Sequence, residues 1–153
     1  MPLRVLSRFL DEHGIKYVTI RHSRAFTTQQ IAASAHIPGK EIAKTIIVRL
    51  DGKMAMAVVP GSMRVDLERL REIAGAKDIE LASELDFSRM FPECETGAMP
   101  PFGNLYGMPV YVAESLRKDQ EIAFNAGSHT ELLKLAYDDF ETLVQPRIGK
   151  FAL

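Results

Sequence analysis

The sequence predicts an α+β fold: a curved, mixed, mainly antiparallel, barrel-like sheet flanked by helices. Three observations point there. Helical and strand periodicities alternate irregularly along the chain, which argues against a doubly wound parallel sheet. Asp51-Gly52 sits between two apolar runs, a strong hairpin signal. The first of those runs, Ile42-Ala43-Lys44-Thr45-Ile46-Ile47-Val48, is rich in β-branched residues and reads as a strand. The 153 residues fit one domain, 1–153, with a core of its own.

The elements follow in order. Leu3, Leu6, Phe9 and Leu10 have helical spacing, so 3–13 reads as an amphipathic helix stopped by Gly14. A short strand is expected over 16–21. Thr27 with Gln30 fits a capping box for a helix to about Ala35, and His36-Ile37-Pro38-Gly39 breaks it. The hairpin spans 42–50 and 53–59 and ends at Pro60-Gly61. Asp66 caps a helix with Leu67, Leu70, Ile73 and Ala74 on one face and Gly75 as its stop. A strand is expected over 79–82, then a short helix from Ser83 to about Phe91. Gly97 to Gly103 is a loop. Leu105-Tyr106 and Val110 to Ala113 read as a second hairpin. Gln120 to Phe124 is a strand. Thr130 to Leu135 fits either a strand or a helix capped by Ser128 and Glu131; the strand is preferred, with Tyr137 opening the last helix.

Bulk properties exclude several classes. The net charge is −1, which argues against a protein that coats double-stranded nucleic acid. No apolar run is long enough to span a membrane, and Arg4 and Arg8 interrupt the N-terminal stretch where a signal peptide would need continuous apolar residues. The one cysteine, Cys94, supports no disulfide framework and reads better as a small buried thiol than as a nucleophile. His13, His22, His36 and His129 lack metal-ligand spacing, so neither metal nor cofactor is expected. A cytoplasmic protein fits these features best.

Lys44 stands out. An ammonium in a half-buried strand must snorkel, pair or face a polar cavity; guarding a strand edge is the plain alternative. Two glycine-bearing loops lie downstream: Gly97-Ala98-Met99-Pro100-Pro101-Phe102-Gly103 and Asn125-Ala126-Gly127-Ser128-His129. Each could be a tight turn. Successive amides in such loops can also bind an anion or a developing oxyanion.

In this order and spacing, these segments resemble the YbaK/ProX family of aminoacyl-tRNA deacylases, similar to the editing domain inserted in bacterial prolyl-tRNA synthetases. The matching residues include His22, Ala25 and Thr27, Ala43-Lys44-Thr45, Val59-Pro60-Gly61, Val65-Asp66-Leu67, Pro101-Phe102-Gly103 and Ala126-Gly127-Ser128-His129. Cys94 to Thr96 departs from the family's pattern, where many relatives carry a further glycine.

The resemblance implies a trans-editing hydrolase that cleaves the ester of a mischarged tRNA, with tRNA for proline carrying a small wrong amino acid as the expected substrate. It gives Lys44 an anchoring role. It makes Gly97, Ala98, Gly127 and Ser128 candidate oxyanion donors, and His129 an orienter of water or ribose. Phe26, Thr27, Thr45 and Met63 are candidate pocket residues, beside the Pro101-Phe102-Gly103 loop. His22 and Arg24 are candidate contacts to the acceptor end of the tRNA. Prolyl-tRNA synthetase is an expected partner. The alternative is a non-catalytic module of the same fold that binds an amino acid, a nucleotide or a synthetase; retention of Lys44 and both loops favours the enzyme.

Overall fold

The computed structural model describes residues 3–22, 28–35 and 37–153. Helix α1 (Arg4–Glu12) buries Leu6 and Leu10, one face of the predicted amphipathic pattern, and Gly14 follows with φ of 66°. Strand β1 (Tyr17–Arg21) leads to α2 (Thr28–Ala35). The expected cap at Thr27 lies outside the described residues. Strands β2 (Ala43–Leu50) and β3 (Lys53–Pro60) form the predicted hairpin, with φ of 51° at Asp51 and 81° at Gly52. Two successive positive φ values give the turn the twist that matches its strands.

Asp66 caps α3 (Leu67–Ala74) by accepting from the Arg69 amide, and Gly75 closes it in the left-handed region. Strand β4 (Ile79–Leu81) precedes α4 (Glu84–Phe87), whose Ser83 and Asp86 form a reciprocal capping box. Strands β5 (Val110–Ala113), β6 (Glu121–Asn125) and β7 (Glu131–Ala136) follow, then α5 (Tyr137–Val144) and β8 (Arg147–Gly149). The segment at 130–135 is therefore a strand, as preferred from its pattern.

The strands make two sheets. One runs β1-β7-β6 and is antiparallel; the other runs β4-β2-β3-β5-β8. Within the second, β3–β5 and β5–β8 are parallel and the remaining pairs antiparallel. The second sheet is thus mixed, and over both sheets four of the described strand pairs are antiparallel and two parallel. The two sheets touch through one parallel bridge, Ile42 to Ala123, rather than through a continuous barrel ladder.

One expected element is corrected. Leu105-Tyr106 does not pair with β5. Gly103–Leu105 forms a 3-10 turn, Gly107 takes φ of 69°, and the Met108 amide donates back to the Gly103 carbonyl. The chain coils tightly there because Gly103 packs against β5: a Cβ on it would meet the Met108 carbonyl and Val110 at 2.6 Å. β5 instead enters the sheet parallel to β3. Strand β8 carries too short an apolar run to be read from pattern.

The main core lies between the sheets and α1. Phe102 is its centre, in contact with Phe9, Phe124 and Phe140 at ring-centroid distances of 6.3, 5.5 and 5.4 Å. A second cluster under α3 holds Val48, Ala55, Ala57, Val59 and Leu70. The alternation of β2 follows from this: Ala43 and Ile47 face the main core, and Ile46 and Val48 face the α3 side.

Candidate active site

Strand β2 is covered unevenly along its second edge. Val48, Arg49 and Leu50 pair with β4, while Ile42, just before the strand, bridges to β6. Between those two partners no described strand pairs with this edge. Leu50 and Lys53 flank the two-residue turn, so even-numbered residues bond to β3 and odd-numbered ones turn their amides and carbonyls to the other edge. The Ile47 carbonyl accepts there from the Ala82 amide at 3.0 Å. Thr45 therefore presents its backbone groups to the gap, and a cavity of about 300 Å³ fills it. Residues 42–47 form one wall. Leu81, Glu84 and Phe87 form the second, and Gly97, Met99 and Asn125 the third.

Lys44 belongs to this cavity, yet its side chain has the parity of Ile46 and Val48, opposite to Thr45. Its Nζ donates to the Met63 carbonyl at 2.9 Å. Burial, with the Arg64 guanidinium nearby, holds the ammonium below the ordinary lysine pKa. A charge that is half desolvated and tied by a single carbonyl has capacity for an anionic or carbonyl oxygen from a substrate. The Met63 side chain itself lies elsewhere, with Sδ 4.0 Å from Ser115 Oγ in a separate hollow, so Met63 meets the site only through its carbonyl.

The two glycine loops are laced together. The Glu95 amide donates to the Gly127 carbonyl at 2.8 Å, and the Gly127 amide to the Ala98 carbonyl at 3.0 Å. The Ala98 amide donates to the Glu95 carbonyl at 3.0 Å. Two of the four expected oxyanion donors, at Ala98 and Gly127, are thus occupied within the loops. Gly97 lines the cavity with φ of 85°. Ser128 Oγ pairs with Thr130 Oγ1 at 3.2 Å, and neither residue lines the cavity.

His129 has a supporting place rather than a place in the cavity. Its ring is buried, Nε2 meets the Thr96 carbonyl at 2.9 Å, and its backbone amide reaches Glu95 Oε1 at 3.4 Å. A Cβ on Gly97 would lie 3.7 Å from its Cε1. The imidazole is therefore packed against the outside of the loop that carries Gly97.

The remaining expected residues divide clearly. Thr45 lines the cavity. Phe102 and Gly103 are buried in the core with Pro101, where aromatic packing and close backbone approach fix them, and none of the three is among the residues that line the cavity. The His22 amide donates to the Thr130 carbonyl at 2.9 Å, which places His22 beside the second loop and away from the cavity lining. Arg24, Phe26 and Thr27 lie outside the described residues. Cys94 is half-buried beside the Tyr106 hydroxyl, and burial pushes its thiol pKa up, which disfavours a nucleophilic thiolate. Among the described residues, no group of His, Cys, Asp and Glu could hold a metal. Among the described residues, no helix is long and apolar enough to cross a membrane.

Asn125, Phe87 and Glu84 were missed by reading the sequence. Asn125 ends β6 within the second glycine motif, where the glycines and histidine drew the attention. Phe87 and Glu84 reach the site only because α4 folds over the open edge, which no local pattern announces.

Three comparisons bear on this arrangement. A Cys-tRNA(Pro)/Cys-tRNA(Cys) deacylase candidate, EbsC of Enterococcus faecalis, is 25% identical over 149 residues, covering 95% of this chain and 88% of that one. The multifunctional Ser/Thr-tRNA deacylase ProXp-y of Escherichia coli K12 is 24% identical over 152 residues, covering 95% and 90%. The crystal structure of a candidate trans-editing enzyme for prolyl tRNA synthetase superposes with a TM-score of 0.83 at 19% identity, over 98% of this chain and 96% of that one. Residues 22–143 match the aminoacyl-tRNA editing domain, and the chain belongs to that family.

Proposed function

We propose that this protein is a trans-editing hydrolase that removes a small wrong amino acid from tRNA, with tRNA for proline as the carrier. The observation that carries this reading is the cavity at the open edge of β2, which sets Lys44, the Thr45 backbone and Gly97 around one small space. Family membership and the names of the two relatives support it. A synthetase pocket separates amino acids differing by one methylene only about 10–200-fold, so a second hydrolytic site is needed.

The reaction is hydrolysis of the ester between the amino acid and the terminal ribose. Water oxygen adds to the ester carbonyl carbon, the carbonyl oxygen becomes an oxyanion, and the bond to the ribose oxygen then breaks. The ribose oxygen takes a proton from the water, leaving free amino acid and uncharged tRNA. The amides of Gly97 and Thr45 are suited to the oxyanion, since preorganised donors at developing charge contribute most. Lys44 anchors the acyl-ribose region as a point charge near the cavity mouth. His129 acts through Thr96 and the Gly97 loop as a positioning residue. Arg24 and His22 are candidate contacts to the acceptor-end backbone. A cytoplasmic location and association with prolyl-tRNA synthetase go with this role.

The test is a deacylation panel with alanine, serine, threonine and cysteine on tRNA for proline and on their cognate tRNAs. Wild type should accelerate at least one member, and Lys44→Ala should lose more than tenfold while remaining folded by circular dichroism. No acceleration on any member would return the chain to the non-catalytic binding reading.

A further inference from the structure

The ladder between β2 and β4 stops before it reaches Thr45. Its register pairs Leu50 with Ile79, Arg49 with Glu80 and Val48 with Leu81, and the Ala82 amide extends it onto the Ile47 carbonyl at 3.0 Å. Continued in the same register, the strand would set Glu84 opposite Thr45. The chain leaves the sheet first. Ser83 becomes the cap of α4: its amide donates to Asp86 Oδ2 at 3.0 Å, and its Oγ accepts from the Asp86 amide at 3.2 Å. At the other end the Ile42–Ala123 bridge bounds the gap. Thr45 thus lines the cavity at a rung that no described strand completes. By the parity of β2 that rung is of the hydrogen-bonded kind, in which a residue gives its amide and its carbonyl to one and the same partner.

We infer that the substrate's amino acid completes this rung as a one-residue strand: its α-ammonium donates to the Thr45 carbonyl, and its ester carbonyl accepts from the Thr45 amide. This rests on the editing reading of the site. Both backbone groups belong to one residue, and strand geometry turns them to the same side, so a single aminoacyl group reaches both. The antiparallel direction of β4 fixes the rest. The ester-linked ribose falls towards Lys44, the residue already assigned to the acyl-ribose region. The ammonium falls towards Ile46, on the side of the Glu84 wall. Directly opposed residues share a face, so an L-amino acid turns its side chain to the face of Ala43, Thr45 and Ile47, which Phe87 and Met99 also line. A group on the nitrogen would have to take the place opposite Ile46, where the chain passes from Ala82 to Ser83. The site therefore selects esters with a free α-amine and excludes N-acylated and peptidyl esters, whichever small side chain they carry. A strand from a partner protein fits less well, because the gap is bounded by Ala82 at one end and the Ile42 bridge at the other.

The experiment uses two compounds that resist hydrolysis: 3′-deoxy-3′-(L-alanylamino)adenosine and its N-acetyl derivative. Their dissociation constants are measured by NMR titration on the full, nitrogen-labelled chain. Wild type should bind the free amine about tenfold or more tightly, because acetylation removes a charged donor. The Thr45 amide proton should move downfield as the free amine binds. Thr45→Pro removes an amide that faces the gap and no ladder bond to β3, so it should weaken the free amine about tenfold or more. Thr45→Val keeps the amide, so the ratio between the two compounds should stay within about threefold of wild type, whatever happens to overall affinity. Thermal melts check that each variant is folded; should Thr45→Pro fail to fold, the compound ratio and the Thr45 amide shift decide alone. Equal or tighter binding of the N-acetyl compound, binding of neither, or an unmoved Thr45 amide overturns the inference, and tighter N-acetyl binding would point to a protein strand instead. Preference for the free amine without turnover in the deacylation panel would overturn the editing reading and leave the pairing standing; turnover with equal binding would do the reverse.

Discussion

The two halves of β2 share one strand and one hairpin partner, yet only one of them makes a site. From Val48 to Leu50 the strand is paired on both edges, by β3 and β4. From Ala43 to Ile46 its second edge is open, and the cavity occupies the space where a neighbouring strand would lie. The closed half spends its backbone groups on the ladder and its side chains on the cluster under α3. The open half leaves the Thr45 backbone groups without a described strand partner and carries the half-buried Lys44. The site is thus produced by interrupting a sheet, and the interruption is maintained by elements that stand on either side of it.

Lys44→Met should separate the halves most sharply. Activity should fall by more than tenfold, while the midpoint of thermal unfolding should stay within about 2 °C of wild type, because the ammonium is partly desolvated in the folded state. The pH dependence has a definite sign. The folded pKa is lowered, so the unfolded chain holds this proton more tightly. The cost of burying the charge is present below the folded pKa and is relieved as pH rises from there towards the ordinary lysine value. Melts from pH 7 to 10.5 should show wild type gaining on Lys44→Met over that interval; a gap that moves the other way would contradict the assigned desolvation.

Val48→Ala tests the closed half. Val48 is fully buried, so about 2 kcal/mol of stability should be lost in urea unfolding. The folded fraction should keep its activity within about threefold, since no cavity wall is touched. A large activity loss in the folded fraction would show that the halves are coupled.

His129→Ala should cost about 1 kcal/mol, from loss of its bond to the Thr96 carbonyl and of ring packing. Because it acts through the loop, kcat should fall severalfold with no change in the shape of the pH–rate profile. Loss of a pH limb near neutrality would instead make the imidazole a proton carrier.

Arg49→Gln should have the smallest effect. Arg49 reaches Asp86 at 3.4 Å and Glu80 at 3.8 Å, tying β2 to α4 and β4 on the solvent side. Exposed pairs of this kind contribute about 1 kcal/mol or less. A change in KM larger than the change in stability would show that the tie also sets the position of the Phe87 wall.

How much of this was legible in the sequence depends on the range of the interaction. The hairpin was, because Asp51-Gly52 dictates its turn locally. So was α3, because Asp66 and Gly75 mark both ends. The Leu105-Tyr106 strand was misread because Gly103 is pressed against β5, a tertiary contact that overrides an apolar dipeptide. Within the site, Lys44 was visible as a charge in an apolar run. Asn125 was not, since it lines the cavity only through the meeting of strands far apart in sequence. Phe102 was read as a pocket residue because it lies in a recognisable loop; its ring in fact turns to the core, which loop identity alone does not reveal.

The Met63 carbonyl that holds Lys44 sits in a loop closed from the far end of the chain. Arg64 and Leu153 exchange both backbone hydrogen bonds, at 2.8 and 2.7 Å, and the Asp66 amide donates to the Phe151 carbonyl. Contacts of such long sequence separation form late, after the entropy of closing the intervening chain has been met. The hairpin bearing Lys44 also holds the acceptor turn from its own side, through the Gly61 amide on the Ile42 carbonyl and the Met63 amide on the Pro60 carbonyl, and the chain's last residues clamp that turn from the other. The lysine's acceptor is thus clamped between two parts of the chain far apart in sequence, and a chain shortened by its last three residues should keep the hairpin side of that clamp while losing the other.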